Sequence, residues 1–190
     1  EVVGEGQGQV RRVSDIVRNI RSFLGYGHPH LSTTDLNAIL EELRPLAREI
    51  LEGVGPYRLR LSLAPDLPGA AVDTVLLQEA VLNLVRNAGE AMAEGLVAEG
   101  CVTIRSEAGE RGIEVSVADQ GPGLTPEQQL VQPFHTTKTS GMGLGLAVCQ
   151  SIIEMHGGQL WAETPRHTTD TTEIRFRLPY TGPGGERGGP

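Results

Sequence analysis

The sequence predicts an α+β fold: an α/β sandwich with helices on one face of a mixed, mostly antiparallel sheet, preceded by one helix of a bundle. Two kinds of periodicity point there. Stretches such as Tyr57 to Leu63 alternate Tyr and Leu against Arg and Ser, the period of a half-buried strand. Longer stretches, above all the one ending near Glu94, repeat apolar residues with the period of an amphipathic helix. The two kinds both alternate and cluster along the chain, which favours helices layered on one sheet face.

Taken in order, Glu1 to Gln9 is Gly-rich and expected to fray. Val10, Val13, Val17, Ile20 and Leu24 then recur at spacings of 3, 4, 3 and 4, a heptad seam widened by Ile16 and Phe23. So short a helix with so much apolar surface needs a partner. Gly25, Gly27 and Pro29 detach it from the next segment, so it reads as part of a helical bundle. Leu31 to Thr34 suits a short strand. Asp35 suits the N-cap of a helix from Leu36 to about Leu51, with Leu36, Ile39, Leu40, Leu43, Leu46, Ala47 and Ile50 on one side. Pro45 inside it predicts a kink or an early break. Pro65 to Gly69 reads as a loop, and Asp73 caps the long helix to about Glu94, with Val75, Leu76, Ala80, Leu84, Val85, Ala88 and Met92 among its apolar residues. Val102 to Ser106 and Ile113 to Ala118 are strands about a turn at Gly109 to Gly112. Asp119 to Ser140 is loop-like, and a helix from about Gly143 to Met155 ends at Gly157-Gly158. Gln159 to Glu163 and Glu173 to Leu178 complete the strands, and the Gly/Pro-rich tail from Thr181 is expected to be disordered.

Bulk properties narrow the function classes. The 190 residues suffice for one sizeable core with a small appendage. The net charge is −8 and the 16 basic residues are scattered, which argues against nucleic acid or an anionic membrane as partner. No apolar run approaches the roughly 20 residues of a membrane span, and the N-terminus lacks a signal-peptide layout. Cys101 and Cys149 are far apart and read as buried reduced thiols, in keeping with a cytoplasmic protein. There is no initiator Met, so a fragment of a longer protein is expected.

Three motifs carry chemistry. Asn83 and Asn87 are four apart on the long helix and leave the same face. They could cap loops or meet solvent, or an amide oxygen could hold Mg²⁺, which prefers oxygen ligands. Asp119-Gln120-Gly121-Pro122-Gly123 follows a strand; alone it is equally a tight turn. A carboxylate there can accept from the exocyclic amine of adenine, and Gly121 and Gly123 let the backbone approach a flat base. Gly141, Gly143 and Gly145 open a helix, where backbone N–H groups suit phosphates, and Lys138 adds positive charge. A long loop precedes this motif, so it is not the dinucleotide fingerprint, and its pattern is not that of the P-loop.

In this order the motifs resemble the N box, the two glycine boxes and the lid of the Bergerat-fold ATPases, which include histidine kinases, DNA gyrase, Hsp90 and MutL. Pro133-Phe134-His135-Thr136-Thr137-Lys138-Thr139-Ser140-Gly141-Met142-Gly143-Leu144-Gly145-Leu146 and Ser151 to Gly158 resemble bacterial sensor histidine kinases of the oxygen-sensing, nitrogen-regulation and dicarboxylate-sensing subgroup. The resemblance spans about Val10 to Leu178. It implies a division into residues 1–27, the second helix of a dimerisation and histidine-phosphotransfer hairpin; 28–180, an ATP-binding catalytic domain; and 181–190, a tail.

Carried over, the resemblance makes Asn87 the Mg²⁺ ligand, Asp119 the adenine reader with Gly121 and Gly123 flanking the base, and Phe134 the lid anchor. Lys138 and the loop Gly141, Met142, Gly143, Leu144, Gly145 and Leu146 hold phosphates, with Thr137 and Ser140 beside them, and Asn83 and Lys138 are the catalytic pair. Val131 stands where the subgroup often has Phe. His28, His30, His135, His156 and His167 all lack the phosphoacceptor context. The resemblance implies a protein histidine kinase fragment that uses ATP and Mg²⁺. Its partners would be a histidine-bearing hairpin of the same protein, a response regulator receiver domain and a second copy of the full-length chain. Gyrase- or Hsp90-type machines place a water-activating Glu one turn before the metal Asn; here that position is Asn83, which takes no proton near neutral pH. The heptad helix argues against an anti-sigma-type serine kinase, and the intact motifs argue against a non-catalytic nucleotide-binding regulator.

Overall fold

The computed structural model describes residues 29–122, 144–163 and 172–181. The heptad helix, the lid and the tail from Gly182 lie outside them. A short strand β1 (Ser32–Thr34) leads to Asp35, whose carboxylate accepts from Asn37 N–H at 2.9 Å and caps helix α1 (Leu36–Glu42). The expected break falls at Leu43, and helix α2 (Arg44–Glu52) starts afresh with Pro45 in its first turn, where a missing N–H costs nothing. The break also resets which side faces inward: Ala47 and Leu51 are buried in α2, whereas Leu46, expected inside, is 45% exposed.

Strand β2 (Tyr57–Leu63) comes next, then β3 (Ala70–Val72), which the sequence pattern does not predict. Three residues after a Pro/Gly turn show too few periods to be legible; β3 exists because β1 pairs with it, Ser32 opposite Val72. Helix α3 (Thr74–Glu94) is capped by Asp73, whose Oδ1 accepts from Leu76 N–H at 3.2 Å. Val75 lies in its first turn and is 72% exposed, against expectation; burial starts at Leu76 and Leu77. Strands β4 (Gly100–Ala108) and β5 (Ile113–Asp119), helix α4 (Leu144–Met155), and strands β6 (Gln159–Glu163) and β7 (Thr172–Leu178) complete the described elements. Gly157 closes α4 at φ +71°, the left-handed conformation glycine adopts without cost.

The main sheet has the order β2-β4-β5-β7-β6; β2 and β4 are parallel and the other pairs antiparallel. Register places Leu63, Ser106, Val115, Phe176 and Leu160 in one row and Leu61, Ile104, Val117, Ile174 and Ala162 in the next. These rows form the face that α1 to α4 cover. No helix among the described residues is long and apolar enough to cross a membrane.

Candidate functional site

The helical layer and the sheet converge on the residues singled out in the sequence. Ile113, Val115, Val117 and Asp119 share one face of β5 by alternation, so the last places a carboxylate on the apolar, helix-covered side. Asp119 is 4% exposed. A charge so placed needs partners, and Gly121 N–H donates to its Oδ1 at 2.8 Å. The neighbouring ladder position on β7 is Thr172, also buried and polar, which no sequence motif singles out.

The Asp119 loop is held against α3 by close approaches that only glycine permits. A methyl group on Gly121 would lie 2.8 Å from Asp119 Oδ1 and 3.2 Å from Ala91 of α3. One on Gly95 would lie 2.8 Å from Pro122 Cδ. From the other side, Cys101 N–H donates to the Gln120 side chain at 2.9 Å, continuing the β4–β5 ladder through a side chain. Gly95 is thus committed to packing, and the left-handed position ending α3 falls to Leu96 at φ +56°. The Leu96 and Val97 N–H groups close the helix onto the Ala93 and Met92 carbonyls at 3.1 and 2.9 Å.

One turn before Ala91, the Asn87 side chain meets α4. A methyl group on Gly145 would sit 3.4 Å from both Oδ1 and Nδ2 of that amide. The first turn of α4, with its unsatisfied N–H groups and positive dipole end, therefore opens beside a carboxamide. Asn83, one turn earlier on α3, has an Nδ2 sealed from solvent with no hydrogen-bond partner among the described residues. An orphaned donor of this kind costs about 1–3 kcal/mol, which an acceptor-rich ligand would recover. Asn83, Asn87, Asp119, Gly121, Gly145 and Leu146 are thus described. Leu144 is described as the first residue of α4, and Gly123, Phe134, Thr137, Lys138, Ser140, Gly141, Met142 and Gly143 lie outside the described residues.

The two thiols differ. Cys149 is buried in α4, and that burial, with the Glu79 carboxylate adding to it, pushes its thiol well above the usual range. Cys101, expected to be buried, is only half-buried, on the uncovered sheet face.

A five-stranded mixed sheet under a helical layer, with a carboxylate at a strand end, paired helical asparagines and a glycine at a helix start, defines a nucleotide-binding α/β sandwich. Residues 72–182 match the model of the histidine kinase-, DNA gyrase B- and HSP90-like ATPases, and the chain belongs to that family. It is 38% identical over 175 residues to the sensor protein FixL of Bradyrhizobium diazoefficiens, covering 90% of this chain and 34% of the relative. It is 35% identical over 160 residues to the C4-dicarboxylate transport sensor protein DctS of Rhodobacter capsulatus, covering 80% and 23%. The chain thus matches between about a quarter and a third of the length of these relatives. Among solved structures, the catalytic domain of histidine kinase ThkA matches with a TM-score of 0.66 at 29% identity, over 79% of this chain and 95% of that one. ThkA in complex with response regulator protein TrrA matches with a TM-score of 0.73 at 26% identity, over 92% and 49%. These relatives include a C4-dicarboxylate transport sensor, one of the kinds of sensor kinase that the lid and second glycine box resemble.

Proposed function

We propose that this chain is the ATP-binding catalytic part of a sensor histidine kinase, transferring the ATP γ-phosphate to a histidine on a hairpin domain of the same protein. One observation carries the choice within the family: the residue one turn before Asn87 is Asn83, not a carboxylate, so the site lacks a base there to activate water. Asp119 reads adenine through its amine, and the Asp119–Pro122 loop is held rigid for it by Ala91, Gly95 and Cys101. The donor set fits Mg²⁺, with the Asn87 amide oxygen as one hard ligand and phosphate and water as the rest; the ion would neutralise charge on the phosphates. The orphaned Asn83 amide and the N–H groups opening α4 meet phosphate oxygens. Catalysis then rests on positioning the γ-phosphate for in-line attack by an imidazole nitrogen, with ADP leaving.

The ThkA–TrrA complex supports a response regulator as the next acceptor, the heptad seam of Val10, Val13, Val17, Ile20 and Leu24 supports a homodimer through that segment, and two free cysteines suit a cytoplasmic location. Residues 1–27 would be the second hairpin helix.

Isothermal titration should show ATP binding in the presence of Mg²⁺ and at least about tenfold weaker binding of GTP. With γ-labelled ATP, acid-labile label should appear on a separately supplied histidine hairpin and not on this chain alone. Label on this chain without the hairpin, or rapid hydrolysis abolished by Glu79→Ala, the nearest upstream carboxylate on the same helix, would overturn the reading.

A further inference from the structure

Helices α3 and α4 run antiparallel and approach each other at three points. At one end, Asp73 N–H donates to His156 Nε2 at 2.9 Å. In the middle, Cys149 Sγ donates to the Ala80 carbonyl at 3.4 Å. Asp73 and Ala80 are seven residues apart, and so are Cys149 and His156, so both contacts repeat the same register two turns on. One heptad further along α3 stands Asn87, whose side chain faces Gly145, four residues before Cys149 and so off that register by three residues.

Of these contacts, only that of His156 is both strong and directional. A thiol is a weak donor, and Gly145 only faces the Asn87 amide, at a separation where an added methyl group would be in ordinary van der Waals contact. His156 is 4% exposed and uses both ring nitrogens: Nδ1–H donates to the Ile152 carbonyl at 2.6 Å, while Nε2 accepts from Asp73. Asp73 is in turn the cap of α3, and its Oδ2 accepts from His30 N–H at 3.0 Å. The ring therefore joins the C-terminal end of α4 to the N-cap of α3. Asn87 lies about 21 Å along α3 from that joint, and a one-residue slip between the helices would shift Gly145 past it by about 1.5 Å.

Building on the nucleotide-site reading above, we infer that His156 is a positioning residue for the phosphate end of the site. It sets the axial register of α4 on α3 and so holds Gly145 opposite the Asn87 amide, without touching the nucleotide. The adenine end does not depend on this joint, because Asp119 and Gly121 are fixed by β5, Ala91 and Cys101.

The test compares Mg·ATP with adenosine, which lacks phosphate, on the 190-residue chain. His156→Leu should weaken Mg·ATP binding about tenfold and leave adenosine within about twofold. His156→Gln, with one amide donor and one acceptor, should restore most of the loss. A loss equal for both ligands, no loss, or a Gln variant as poor as Leu would overturn the inference. Should the Leu variant not fold, hydrogen exchange on the unmodified chain decides. Coupling is reciprocal, so Mg·ATP should slow exchange at the Asp73 amide several-fold more than adenosine does, and equal effects would overturn it. An unmodified chain that binds adenosine but not Mg·ATP overturns the site reading itself, and this inference with it.

Discussion

The two faces of the five-stranded sheet are built on opposite principles. On the covered face, Val102, Ile104, Ile113, Val115, Val117, Phe176 and Leu178 are at most 2% exposed. On the other face, Arg175 is ringed by carboxylates. Its Nη1 lies 3.1 Å from Glu107 and 3.4 Å from Glu114, its Nη2 3.2 Å from Glu173, and its Nε 3.3 Å from Glu163, off hydrogen-bond alignment. Burial works against the Arg175 charge, but Glu173, Glu163 and Glu107 outweigh it and hold the proton more tightly than usual. Arg177 stacks over Trp161 at 5.8 Å on the same face. The apolar face decides where the helices sit, and with them Asn83 and Asn87. Among the described residues, no helix packs on the polar face. Asp119 is the telling exception, a carboxylate at the end of the apolar face, where the proposed nucleotide site lies.

The largest effect should come from the covered face. Phe176→Ala removes the largest fully buried side chain and should cost about 3–5 kcal/mol in urea denaturation; a loss under about 1 kcal/mol would show that this face is not the core. Next comes Cys149, neutral in the fold because burial raises its thiol. The unfolded thiol ionises near pH 8.5, so stability is full below that pH and falls above it, by about 1.4 kcal/mol per pH unit. By pH 10 the loss is about 2 kcal/mol, and Cys149→Ala should flatten that slope in denaturant melts; an unchanged slope would refute the burial argument. On the open face, Arg175→Met leaves the surrounding carboxylates mutually repelling, at about 1–2 kcal/mol because the cluster is partly solvated. That loss should shrink in 1 M salt, and a salt-independent loss would mean packing, not charge, holds this face. The smallest is a gain on neither face. Leu96 is 89% exposed in a left-handed conformation, so Leu96→Gly should raise stability by about 1 kcal/mol in thermal melts; a loss would show that its side chain has a partner.

What the sequence determined by itself was local. Helices α1 to α4 and every described strand but β3 followed from apolar period, from the caps Asp35 and Asp73, and from the break that Pro45 predicts and that falls at Leu43, because these signals depend on residues within a turn or two of each other. The residue types of the candidate site, paired asparagines, an aspartate before a glycine loop, and a glycine at a helix start, were equally local signals. What only the tertiary structure decided depends on contacts between distant segments. β3 is a strand only because β1 lies beside it. Gly95 reads like a helix stop, yet the approach of Pro122 claims it for packing and leaves the left-handed turn to Leu96. Leu46 and Val75 fit the apolar pattern and are nonetheless exposed. His156, in sequence read only as a histidine outside the phosphoacceptor context, is the bridge to Asp73. No local pattern encodes such meetings, since they arise only when the packed sheet and helices fix which backbone groups come within hydrogen-bond reach of one another.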